Sequence, residues 1–107
     1  MTTFDDRERG EEQRFKHSEE LRFKARNRRN RLFGLWVAEN HLGLKGDEAS
    51  SYATEVVMAD FESPGDDDML RKVKTDLEKA SVSISDHLLM KHLGECEQEA
   101  RKQVMSE

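Results

Sequence analysis

Six bases, Arg22, Lys24, Arg26, Arg28, Arg29 and Arg31, stand within ten residues of one another. Side chains of this kind at this density can neutralise the phosphates of a nucleotide or a nucleic acid. On a helix, where each residue turns about 100°, they would point all round the axis rather than along one stripe. No aromatic platform of the kind that stacks RNA bases accompanies them. The competing reading is a solvated helix whose bases pair with the acids of residues 47–62. The remaining candidates for chemistry are sparser. Asp66-Asp67-Asp68 lacks the twelve-residue calcium-loop spacing and suits a helix N-terminus better. His17, His41, His87 and His92 show no pair three or four residues apart and no neighbouring cysteine cluster, so no metal site is expected. Cys96 falls on an apolar stripe and reads as a small core residue. Gly43-Leu44-Lys45-Gly46 lacks the spacing and the following Ser or Thr of a phosphate loop. With no catalytic triad or paired carboxylates standing out, the chain is expected not to be an enzyme, and no cofactor is expected.

The first twenty residues offer a different chemistry. Phe4 and Phe15 are the only large apolar side chains between Met1 and Leu21. Eleven residues apart, they fall on one face of a helix, amid seven acids and four bases. Two isolated rings cannot offset the entropy of ordering such a segment alone. A segment with helix signals and two anchors but no core is expected to complete its core on another molecule.

The elements that must position these residues are helical. The 107 residues hold 38% charged and 7% aromatic side chains, one Pro and six Gly, a profile suited to a helical domain with a thin core. No apolar run approaches the length of a membrane span, and no leader precedes the chain, so a cytoplasmic protein is expected. The lone cysteine excludes an internal disulfide. The net charge of −5 hides a segregation: residues 21–45 carry seven bases and one acid, and residues 46–70 carry eight acids and no base. Adjacent blocks of opposite sign are expected to face each other.

Four segments have helical period. The first runs from about Asp5 to Leu42 and stops at Gly43, with Leu21, Ala25, Leu32, Leu35, Trp36 and Leu42 on one stripe and Trp36 as its core anchor. The second opens at Asp47 as N-cap, carries Ala49, Tyr52, Ala53, Val56 and Val57 with Phe61 near its end, and closes at Ser63-Pro64-Gly65. The third starts in the Asp66–Asp68 run and carries Met69, Leu70, Val73, Leu77 and Ala80. The fourth, capped by Ser85 or Ser83, carries Leu88, Leu89, Leu93, Cys96, Ala100 and Val104. The expectation is an all-α protein, a four-helix bundle with a long first helix, over residues 21–107, and a flexible N-terminal arm, residues 1–20, disordered or partly helical when free.

Three stretches together resemble one known family: Phe4-Asp5-Asp6-Arg7-Glu8; Arg26-Asn27-Arg28-Arg29-Asn30-Arg31-Leu32-Phe33-Gly34-Leu35-Trp36; and Tyr52-Ala53-Thr54-Glu55-Val56-Val57 with Ala59-Asp60-Phe61-Glu62 and Pro64-Gly65-Asp66. The chain resembles, over essentially its whole length, the zeta subunit of alphaproteobacterial F-type ATP synthases, an inhibitor of ATP hydrolysis. The resemblance implies a bundle with an inhibitory arm that becomes helical as it enters an interface of the rotary catalytic head and blocks rotation in the hydrolytic direction. The implied partner is that head, reached through protein contacts and without membrane insertion, by a chain that is monomeric when free. Carried over by position, the inhibitory residues lie between about Thr2 and Glu19. Phe4 and Phe15 are expected to enter apolar pockets, with Asp5 in the matching opening and Arg7, Glu8, Arg9, Glu12 and Arg14 pairing with charges around the cleft. Gly10 departs from the family's helix-favouring arm, and an interior glycine costs a helix about 0.5–1 kcal/mol relative to alanine. The alternative is a basic helical module binding nucleotide or nucleic acid through residues 22–31.

Overall fold

The computed structural model describes residues 19–61 and 65–107, which form four helices: α1 (Glu19–Asn40), α2 (Asp47–Ala59), α3 (Asp67–Lys79) and α4 (Asp86–Ser106). They make a four-helix bundle. α1 is its central member, packed along both α2 and α4, while α3 lies chiefly on α2. α1 and α4 run antiparallel. Ala25 sits with Val104 and the partly buried Leu21 at one end, and Trp36 stacks on His92 towards the other.

Each break has a local cause. The last turn of α1 closes as the amides of His41 and Leu42 donate to the Val37 carbonyl and that of Leu44 to the Ala38 carbonyl. Gly43, at φ 70°, supplies the left-handed residue that this reversal needs. α2 begins one position earlier than expected: Asp47 is its first helical residue, and the cap is Gly46 at φ 57°, with no side-chain cap bond. The conformation there favours glycine, so Asp47 is left to face the positive helix end from within the first turn. Likewise Asp66 caps α3 by position without a side-chain bond to the helix, because its carboxylate is turned towards Arg29. Ser85 is the N-cap of α4, its Oγ accepting from the Leu88 amide at 3.1 Å.

All four helices contribute to one core: Phe33, Val37 and Ala38 from α1, Ala49, Tyr52 and Val56 from α2, Met69, Val73 and Leu77 from α3, and Leu89, Leu93 and Cys96 from α4. The stripe of α1 is therefore not the expected one. Phe33 is the anchor, while Leu32, Leu35 and Trp36 are only partly buried at its margin. The buried face of α1 also includes Arg29, Asn30 and Gly34, so a stripe drawn through the apolar side chains alone points too far round the helix. Phe61, Ala80 and Leu88, expected on core stripes, are exposed. Phe61 lies beyond the end of α2, where helical phase no longer holds it inward.

Gly34 is required by packing. A Cβ at this position would lie 2.9 Å from the Ala53 Cα and 3.1 Å from the Val56 Cβ. α1 and α2 meet backbone to side chain here, and that closeness sets the geometry of everything on the same pair of helices.

Candidate functional site

Above Gly34, towards the start of α1, the α1–α2 seam turns polar. Asn30 is fully buried, and Arg29 and Asp60 nearly so. Asp60 follows α2 directly and receives a two-pronged contact from Arg26, Nε to Oδ2 at 2.6 Å and Nη2 to Oδ1 at 3.0 Å. The Asn30 amide nitrogen donates to the same Oδ2 at 2.8 Å, and its oxygen accepts from Arg29 Nε at 2.9 Å. Arg29 continues to Asp66 at 2.6 Å, and Arg26 also donates to the Gly65 carbonyl at 3.0 Å. Five side chains, three from α1 and two from the α2–α3 connection, thus close one network. Burial pushes the Asp60 carboxyl up, but the hydrogen bonds from Arg26 and Asn30 and the charges of Arg26 and Arg29 together hold it below its ordinary value.

The basic and acidic blocks do face each other, through Asp60 and Asp66 rather than through acids along α2. Lys24 and Arg28 go elsewhere: both pair with Glu107 at the end of α4, and Arg28 also donates to Gln103 at 3.0 Å. Arg31 donates to Ser50 Oγ at 2.8 Å and Thr54 Oγ1 at 3.3 Å. Lys24, Arg26, Arg28, Arg29 and Arg31 therefore all have partners within the bundle. An open groove of about 870 Å³ runs beside them, and its wall mixes Glu19, Asp66 and Glu97 with Arg22, Arg26, Arg29 and Arg101. Alternating signs give no concentrated phosphate cradle.

At the opposite end Trp36 stacks on His92 at 3.9 Å between ring centroids and meets His41 edge-on at 4.7 Å. This histidine pair is brought together only by the fold. Burial lowers the His92 pKa, and nearby His41 adds to that effect, against the opposing charge of Glu95. Among the described residues no group of three or more potential ligands converges on a metal position. Cys96 is a core residue, its thiol pushed up to about 11 by burial. No helix among the described residues is long and apolar enough to cross a membrane.

The sequence model of one family, described as ATPase inhibitor subunit zeta, matches residues 1–103. The chain belongs to this family. A search of curated proteins found no matching relative. The match spans both the basic core helix and the N-terminal segment that the sequence singled out. The zeta-family residues expected to carry inhibition, Phe4, Asp5, Arg7, Glu8, Arg9, Glu12, Arg14 and Phe15, lie outside the described residues, as do Gly10 and His17.

One aromatic pair near the start of α1 is not evident from the sequence, which leaves Phe23 unassigned and places Phe61 on the stripe of the second helix. Phe23, one turn into α1, and Phe61, just past α2, stack at 5.7 Å while both remain half exposed. Phe23 carried a signal in its phase, since it stands two residues from Leu21 and Ala25 and so off their stripe. Phe61 carried none until the end of α2 was known.

Proposed function

We propose that this chain inhibits ATP hydrolysis by F-type ATP synthase, that residues 1–20 are the inhibitory arm, and that residues 21–107 are the body that carries it. The arm folds into a helix within an interface of the rotary catalytic head and blocks rotation in the hydrolytic direction. Phe4 and Phe15 fill apolar pockets there, and Asp5, Arg7, Glu8, Arg9, Glu12 and Arg14 meet charges along the cleft. Membership in the zeta inhibitor family, by a match that includes the arm, is the observation that carries this reading. The bundle supports it from the other side, because Lys24, Arg26, Arg28, Arg29 and Arg31 are engaged within the fold. In this reading the chain is a regulatory subunit, associated with the membrane-bound enzyme through protein contacts alone.

The test is inhibition of ATP hydrolysis by purified ATP synthase. Full-length protein is expected to inhibit, and a chain lacking residues 1–19 is expected to have no effect at any concentration. Inhibition by the shortened chain at full strength would overturn the proposal. Phe4→Ala and Phe15→Ala are each expected to raise the half-inhibitory concentration at least tenfold, as loss of about 2 kcal/mol at an interface anchor requires.

A further inference from the structure

The described part of α1 begins at Glu19, and a cleft that holds the proposed arm must bring the first turns of α1 to its edge. Phe23 lies four residues beyond Glu19, about 6 Å along the helix. Its ring is 55% exposed and stacks on Phe61, 51% exposed, on the antiparallel α2 side. Met58, one turn before Phe61, is 58% exposed. Val57 and Phe23 line the same shallow groove between α1 and α2. Among the described residues the other large exposed apolar side chains, Leu88, Met90 and Met105, are strung along α4. Single exposed apolar residues are ordinary, whereas contiguous rings held against each other in solvent mark an interaction surface.

The geometry points to the Phe23–Phe61–Met58 patch as a second docking contact, one that seats on an apolar surface of the catalytic head at the mouth of the cleft the arm enters. This rests on the proposed inhibitory arm, and it gives the bundle a part in inhibition beyond that of a handle. The partner is argued from chain continuity. An arm inserted up to residue 18 leaves Phe23 about one and a half turns of α1 from the cleft mouth. A ring pair preorganised by stacking loses little rotamer freedom on binding, which makes it an effective anchor. The arm then supplies the wedge, and the patch fixes the rotation of α1 about its axis.

The experiment titrates hydrolysis by intact, purified ATP synthase with full-length chain carrying Phe23→Ala, Phe61→Ala or both. Each single change is expected to raise the half-inhibitory concentration about tenfold, with complete inhibition still reached and the melting temperature unchanged. The double variant is expected to be at most slightly weaker than the worse single one, since the rings act as a unit. Met58→Asp, which removes no stack, is expected to weaken inhibition to a similar degree, and it decides the matter where a ring deletion lowers the melting temperature. Unchanged titrations for these variants, while deletion of residues 1–19 still abolishes inhibition, would overturn the patch and leave the arm standing. A deletion without effect would overturn the arm itself. Tighter inhibition by the ring variants would show that the patch holds the chain's own arm, and a dimer dissociated by Phe61→Ala would show that it holds a second copy. Either result overturns this assignment.

Discussion

The two halves of α1 are attached to α2 by different means. From Phe33 onward the contact is apolar and close, with Phe33, Val37 and Ala38 against α2 and α4, and with Gly34 admitting the Ala53 backbone. From Arg26 to Asn30 the contact is a hydrogen-bonded ionic network on Asp60 and Asp66. The apolar half depends chiefly on volume. The polar half depends on every member being present, since a buried network that loses one partner strands the others. A single helix thus carries a firm anchor at one end and a conditional one at its N-terminal end.

The comparison can be broken at the apolar half first. Phe33→Ala is expected to cost about 3–5 kcal/mol in denaturant unfolding, enough to unfold much of a domain this small. Asp60→Ala should cost about 3 kcal/mol by leaving Asn30 and the Arg26 guanidinium without their shared acceptor. Hydrogen exchange should then show protection lost from residues 22–30 before residues 33–38, and uniform loss would contradict the division into halves. Gly34→Ala separates packing from propensity. Overpacking against Ala53 should cost about 1–3 kcal/mol, of which the better helix former recovers at most about 1 kcal/mol. A stabilised variant would mean the seam can open without penalty.

The smallest effect is in pH. Because the folded Asp60 carboxyl lies below its unfolded value, its contribution is fully present above the ordinary carboxylate range and is lost as pH falls through the folded value. Unfolding midpoints should therefore fall between neutral and strongly acidic pH, and Asp60→Asn, which cannot ionise, should flatten part of that slope. Equal slopes would show that the network draws little from ionisation.

The helices were legible because their ends are chemical: Gly43 takes a left-handed turn, Gly65 does the same before α3, and Ser85 accepts an amide at the start of α4. The stripes of α2, α3 and α4 were legible through Ala49, Val73 and Leu93, whose burial follows the helical period. α1 was misread for a physical reason. It packs on two neighbours at once, and its inward face includes Arg29, Asn30 and Gly34, whose burial depends on Asp60, Asp66 and Ala53 in other helices. Apolar spacing cannot register a buried ionic contact whose partner lies some thirty positions away. The same limit hid the Phe23–Phe61 pair, which exists only because α2 returns antiparallel to α1.

Cys96 gives the bundle a built-in clock. Its sulfur is enclosed on α4 and is held as the unreactive thiol until far above neutral pH. A thiol reagent therefore reaches it only through openings of the bundle, and the rate of modification scales with how often they are populated. With one cysteine in 107 residues, that rate is read without mutation or label. Followed in the free chain and after mixing with ATP synthase, it tells whether the bundle tightens or loosens in the presence of the enzyme.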